Sequence, residues 1–356
     1  MTANNEQRLH YILQLRGVAA LSVVICHYCH FFWLNQGFCS QLTQHHPVIA
    51  VPKIATILDI APVDLGNFGV ALFFLITGFL MPLVSKQKTR KQFITRRLKR
   101  IYPPYLISLL VVLVLGYCYA QHQLKPYPWS YDHLFFSLLL IRDIGQYPFI
   151  DGIVWTLEIE LKFYILCAIA LPWLSNKPTR FIGLIIGLST LCLITSKLKP
   201  WVDWGYGLHL LTLSSKMLRF ISFIGMGCIL SYWHQRRLLA AESITASIML
   251  VVLYYCHGIG NNISTQEIIS YSLATIVFLA SYVKRQKFTD HGMLAQTGKI
   301  SYSLYLVHGV PGFFILYSLA DYSAHLAIAL ALIYAIVAAT IFYWLIEQPF
   351  LKKNTI

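Results

Sequence analysis

Between residues 25 and 33 the chain reads ICHYCHFFW, and Cys26-His27-Tyr28-Cys29-His30 within it has the C-x-x-C-H spacing of covalent haem attachment. That chemistry needs two free thiols on soluble chain, whereas these sit near the end of a long apolar stretch. The other six cysteines, Cys39, Cys118, Cys167, Cys192, Cys228 and Cys256, show no pairing pattern, and a buried cysteine usually packs as a small hydrophobe. His27 and His30 share a face at i, i+3, but no second ligand cluster at metal spacing lies nearby in the chain. The sequence therefore predicts neither haem nor a metal.

Arg16, eleven residues before His27, offers a different chemistry. Eleven residues at about 100° each return to within about 20° of the start, so the two side chains share a helix face, about 16 Å apart along the axis. Ionisable residues inside a membrane span are expensive and by default suggest function. The plainer alternative is an arginine snorkelling to the interface and a histidine satisfied by a neighbouring helix. A second anomaly is GIVWTLEIELKFYIL, where Glu158, Glu160 and Lys162 interrupt an apolar run. Glu158 and Lys162 are i, i+4 and are expected to neutralise each other, leaving Glu160, about 200° round the helix, to find a partner elsewhere. His27 is the expected partner. A third is SKQKTRKQFITRRLKRIYPPY, a run of cations without an acid, which serves either as a topology signal or as a site for a phosphorylated ligand.

The elements that must position these residues are membrane helices. Of the 356 residues, 57% are hydrophobic and only 12% charged, and the mean hydropathy is +0.61, which excludes an ordinary soluble domain. Windows of about 20 apolar residues, each enough to span a bilayer, recur along the chain. An all-α polytopic protein with ten spans is expected, at approximately 10–34, 65–84, 104–120, 153–173, 181–196, 214–233, 240–256, 268–283, 300–320 and 324–346. The first span lacks a signal-peptide pattern and stays in the chain.

Orientation follows from the cations. Arg8, the run from Lys86 to Arg100, Lys177, Arg180, Arg236, Arg237, Lys284, Arg285, Lys287, Lys299, Lys352 and Lys353 all fall on one side, and only Lys53, Lys125, Arg142, Lys197 and Lys199 on the other. The positive-inside bias predicts cytoplasmic N and C termini. The net charge of +14 is then accounted for by that bias and by anionic lipid headgroups. No soluble basic surface exists to bind nucleic acid.

Four stretches together resemble the acyltransferase 3 family of bacterial integral-membrane O-acyltransferases. They are the arginine and histidine separated by ten residues (Arg16, His27), GVALFFLITGFLM, RRLKRIYPPY and WTLEIELKFY; TGKISYSLYLVHGVP and IEQPF agree further on. The resemblance runs from Arg16 to Phe350. It implies a single membrane-embedded domain over residues 1–356, with no fused hydrolase-type domain. It also implies an enzyme of the bacterial inner membrane that moves an acyl group, acetyl above all, from cytoplasmic acyl-coenzyme A to a hydroxyl of a glycan or lipid-linked sugar at the outer face.

Each motif acquires a role by that resemblance. His27 is the catalytic residue and Arg16 its signature partner, Glu160 matches the acidic position five residues after Trp155, and Arg96, Arg97 and Arg100 match a basic segment suited to coenzyme A phosphates. Thr77 stands where the family has serine, which keeps the hydroxyl but stiffens the rotamer. The residue types fit independently, since a sugar hydroxyl needs a base and neutral histidine has a suitable pKa. Thr77, Tyr164 and Tyr305 are candidate oxyanion donors. His308 shares a face with Ser301 and Tyr305 and either lines the same cavity or is satisfied within its helix. Trp201 and Trp204, beside Asp203, read as an interfacial belt or a sugar-stacking surface. The alternatives are a transporter of a small anionic or sugar substrate, which would also hold buried charge but should show an internal repeat, and a non-catalytic scaffold.

Overall fold

The computed structural model describes residues 9–44, 49–85, 89–124, 126–127, 129–198, 205–259 and 263–352. Lys125, Lys199, Trp201, Asp203 and Trp204 lie outside them, as do the first two lysines of the basic run. Every regular element among the described residues is helical. The first, α1 (His10–Cys26), passes through a π turn at His27–Phe31 into Phe32–Leu34. Then come α2 (Leu65–Val84), α3 (Arg90–His122), α4 (Trp155–Ile169), α5 (Pro178–Leu198), α6 (Gly205–His234), α7 (Ala240–Ile259) and α8 (Thr265–Val283). The chain closes with α9 (Ser301–Val307), α10 (Val310–Leu319) and α11 (Ala324–Phe342).

Seven of the described helices are long and apolar enough to cross a membrane, or eight when the bent pair α9–α10 is one span. This is fewer than the ten expected. The expected span 153–173 breaks at Ala170, where Pro172 starts a separate short helix, Leu171–Asn176. The expected span 214–233 falls inside the thirty-residue α6, whose side chains are described only from Arg219. Leu110, Val114, Ile248, Val252, Ile276, Ile333 and Val337 are exposed, the apolar outer surface that hydrocarbon covers.

The centre of the bundle is α2, packed between α1 and α6. Lipid tails are as apolar as leucine, so helices in a bilayer associate by close backbone approach at small residues. A Cβ on Gly78 would overlap the carbonyl oxygen of Ile224, and one on Gly227 that of Leu75. Gly69 meets the carbonyl of Ala19 on α1 in the same way. α2 is therefore held on two sides, which fixes Thr77 relative to α1.

From Arg90 onward the basic run is helical. Thr89 and Gln92 form a reciprocal capping box, and α3 continues unbroken from Arg90 through Pro103 and Pro104. Arg100 lies one turn from both Arg96 and Arg97, which point about 100° apart on its two flanks, and of these two Arg97 is the buried one and Arg96 the exposed one.

Gly78→Leu should force α2 and α6 apart and cost about 3 kcal/mol or more, the upper range for overpacking. Gly183→Leu, at a site with open space around it, should leave the melting temperature of the detergent-solubilised protein nearly unchanged.

Candidate active site

At the end of the bundle where α1, α3 and α9 begin, an open cavity is lined by Arg16, Thr77, Arg97, Arg100, Glu160, Tyr164, Ser301 and Tyr305 among others. Arg16 Nε donates to Ser301 Oγ at 3.1 Å, and Ser301 in turn donates to Gly298 O. The guanidinium is thus held against α9 and not snorkelled to a surface. Arg97 is 9% exposed and lies over the rings of Phe93 and Tyr164, and its Nε has no hydrogen-bond partner. An unsatisfied buried cation donor beside a cavity is ready for an anion. Arg96, expected in the same site, is exposed and lines no part of it. Trp155 stands behind the wall, edge-on to Phe74.

Glu160 does not meet His27. Its carboxylate accepts from Thr77 Oγ1 at 3.0 Å and from the Tyr164 hydroxyl, so it belongs to the arginine-lined cavity. Both hydroxyl protons are committed to Glu160, which leaves neither Thr77 nor Tyr164 free as an oxyanion donor in this arrangement. The expected Glu158–Lys162 pair is also replaced. Arg142 clasps Glu158 with two hydrogen bonds, of 3.1 and 3.0 Å, and Lys162 reaches Asp143 at 2.6 Å. A forked guanidinium satisfies both carboxylate oxygens where a lysine one turn away satisfies one. These two ion pairs dock the short helix Arg142–Gly145 on α4.

His27 finds its partner on the broken span. α9 and α10 bend by 55° at His308 and Gly309, so the last carbonyls of α9 lose their helical donors. Side chains replace them. His308 Nδ1 lies 3.0 Å from Leu304 O and 2.8 Å from Tyr305 O, Ser108 Oγ donates to Leu306 O at 2.8 Å, and the Tyr28 hydroxyl donates to His308 O at 2.5 Å. The other nitrogen of His308, Nε2, is 2.8 Å from His27 Nδ1, with the ring centroids 5.0 Å apart and the planes within 16° of parallel, so the rings meet edge to edge.

This geometry fixes a proton. Nδ1 of His308 faces only carbonyl oxygens and must be the N–H. With both rings neutral, Nε2 of His308 is then a bare acceptor, His27 Nδ1 donates to it, and the lone pair of His27 is left on Nε2.

Tyr305 links the two halves. It lines the arginine cavity, and its ring lies 5.8 Å from that of His308. Its hydroxyl donates to Ile153 O and meets Thr156 Oγ1 at 2.6 Å, so its single proton is also committed at rest.

A family model described as an acyltransferase domain matches residues 9–347. The chain belongs to the acyltransferase 3 family. Acyltransferase MdmB of Streptomyces mycarofaciens is 24% identical over 97% of this chain and 92% of its own. A protein named as an acetyltransferase, ORF330 of Acidianus two-tailed virus, is 24% identical over 83% and 81%. Peptidoglycan O-acetyltransferase OatA of Listeria monocytogenes is 23% identical over 51% of this chain, a match that spans 28% of that longer protein. No solved structure matches significantly.

Membership in this acyltransferase family makes the chain a membrane-embedded enzyme and displaces the transporter and scaffold readings. Two buried ion-holding residues, Arg142 and Glu347, were not singled out by the sequence. Arg142 reads in the chain as one more outer-loop cation. Glu347 is 3% exposed and accepts from Ser303 at 2.6 Å, two residues from the serine that holds Arg16; the IEQPF stretch marked its position in the chain but not this partner.

Arg142→Ala strands the buried Glu158 and should cost about 3–5 kcal/mol, as expected for breaking a buried pair by removing one partner, read as a fall in melting temperature. Glu160→Gln should keep the wild-type melting temperature, since its amide oxygen still accepts from Thr77 and Tyr164, and lose activity.

Proposed function

We propose that this acyltransferase transfers an acetyl group from acetyl-coenzyme A to a hydroxyl of a glycan or lipid-linked sugar, with His27 as general base. The observation that carries the reading is the His27–His308 pair, which leaves a lone pair on His27 Nε2, with Tyr305 standing between that pair and the cation-lined cavity. The relatives named as acetyltransferases, one of them acting on peptidoglycan, support the acyl group and the glycan class.

The donor's phosphates bind Arg97 and Arg100 by charge-assisted hydrogen bonds. Its extended thioester arm runs past Arg16 and reaches the partition formed by Tyr305. The acceptor hydroxyl approaches His27 from the opposite end of the bundle. His27 Nε2 takes the hydroxyl proton as the oxygen attacks the thioester carbonyl, forming a tetrahedral oxyanion. Collapse expels the coenzyme A thiolate, which takes the proton back from His27, so the free thiol and the ester leave and the enzyme is unchanged. His308 accepts from His27 Nδ1–H throughout, in the place that a carboxylate takes in a Ser-His-Asp triad. It stabilises the transient imidazolium without bringing a permanent charge into the membrane interior.

The charge asymmetry supports a cytoplasmic side for the arginine cavity and both termini, in a bacterial inner membrane whose anionic lipids face the remaining cations. Only the acyl group then crosses, and the nucleotide stays where it is made.

The test is initial-rate kinetics in proteoliposomes, with released thiol as readout. His27→Ala should abolish transfer. His308→Phe, which cannot accept from Nδ1, should lower kcat on the order of 10²–10⁴-fold, the range of a lost acid–base contribution, with little change in KM for the donor. Replacing Arg97 and Arg100 with Gln should raise that KM with kcat retained, and Arg96→Gln should behave as wild type. Turnover in the His27 variant would refute the base assignment.

A further inference from the structure

Cys26 and His30, the outer members of the C-x-x-C-H stretch, take no part in the His27–His308 pair. They face Asp64, the residue that caps α2. Cys26 Sγ lies 3.9 Å from Asp64 Oδ2 and 4.0 Å from His30 Nδ1, and one ligand atom from each of the three residues falls within 4.8 Å of the others. Asp64 stands 38 residues away in the chain, which is why ligand spacing in the sequence gave no sign of the set.

The surroundings orient each donor. His30 Nε2 is held by Asp59 Oδ1 at 3.1 Å, so its N–H points outward and the lone pair of Nδ1 faces the thiol. A metal-binding histidine is typically fixed in this way by a carboxylate on its other nitrogen. Asp64 Oδ1 is engaged by the Asn67 N–H at 2.6 Å, and the Asp64 N–H is engaged by Ser270 Oγ at 2.9 Å, which leaves Oδ2 turned to the cluster. Gly66 keeps the space open, since a Cβ there would lie 3.0 Å from Cys26 Sγ and 3.2 Å from Asp64 Oδ1.

Thiolate, imidazole and carboxylate together carry two negative charges, which a divalent ion neutralises in a part-buried site. Tetrahedral zinc, with bonds of about 2.3 Å to sulfur and about 2.0–2.1 Å to nitrogen or oxygen, holds such donors about 3.3–3.6 Å apart. The two separations from sulfur, 3.9 and 4.0 Å, need to close by a few tenths of an ångström, and that between His30 and Asp64, within 4.8 Å, closes by a turn of the His30 and Asp64 side chains.

We propose that Cys26 Sγ, His30 Nδ1 and Asp64 Oδ2 bind one Zn²⁺ ion, with the fourth position left to solvent. On binding, the thiol proton is released to water as the sulfur–zinc bond forms, and the imidazole and carboxylate bind through lone pairs. The ion clamps the π turn of α1 to the first turn of α2. Because His27 follows Cys26 directly, the clamp holds the segment that carries it.

The test uses full-length protein in detergent, purified without a metal-affinity tag and stripped with chelator. Titration with Co²⁺ should give a thiolate-to-cobalt charge-transfer band saturating at one ion per chain and displaced by Zn²⁺. Cys26→Ser and His30→Ala should each remove the band, Cys29→Ser should retain it, and Asp59→Asn should weaken Zn²⁺ binding about 10–100-fold, as loss of an outer-shell partner does. Zn²⁺ should also raise the melting temperature of wild type and not of His30→Ala. If Cys26→Ser does not fold, His30→Ala and Cys29→Ser decide the matter. No charge-transfer band with wild type, or a band that survives His30→Ala or vanishes with Cys29→Ser, overturns the proposal.

Discussion

Hydrocarbon offers no water to a polar group, so every donor and acceptor within the bundle has to be answered by another part of the protein. The break between α9 and α10 is where this constraint is most demanding. It frees the carbonyls of a helix end inside the membrane, and the chain answers with three side chains from three directions: Ser108 from α3, Tyr28 from the π turn, and the ring of His308 itself. Capping its own helix commits His308 Nδ1 as the donor, which makes Nε2 an acceptor, which in turn sets the proton on His27. Backbone satisfaction and acid–base readiness are thus one arrangement. The π turn contributes by carrying both Tyr28 and His27 to the broken span, consistent with the frequent occurrence of π bulges at functional sites.

The same constraint sorts the charges of α4. Glu158 and Glu160 are two residues apart, yet one is locked in a forked ion pair with Arg142 and the other accepts from two hydroxyls in a cavity with three arginines. A buried ion pair is a hazard when half is removed, and this gives the Arg142–Gly145 helix a structural role. A carboxylate held by hydroxyls is easier to rearrange than one locked in a forked ion pair. The basic and histidine ends of the site are joined by Tyr305, which touches both.

Much of this was legible in the chain. Arg16 and His27 announce themselves as ionisable residues on one face of an apolar helix, and the ordered motifs from Arg16 to Phe350 identify the family. What the chain did not reveal were partnerships across elements. An i, i+4 rule pairs Glu158 with Lys162 because it sees one helix, whereas the three-dimensional alternatives, Arg142 and Asp143, come from a loop-borne turn. Glu160 was assigned to His27 on depth alone, and depth does not say which face meets which neighbour. The capping box at Thr89 extends α3 into the basic run, where Arg97 is buried over the ring of Tyr164 and its chain neighbour Arg96 stays exposed, a distinction that charge counting cannot make. Hydropathy likewise sees 153–173 as continuous, and Pro172 divides it.

The most direct measurement of the central claim is the tautomer of His27, by ¹⁵N solid-state NMR of histidine-labelled protein in lipid, at a pH where both rings are neutral, with His27→Gln used to assign the signal. The arrangement predicts a protonated, pyrrole-type Nδ1 and an unprotonated, pyridine-type Nε2 for His27, with the same tautomer for His308. A His27 ring protonated on Nε2 would have no lone pair facing the acceptor and would contradict the account.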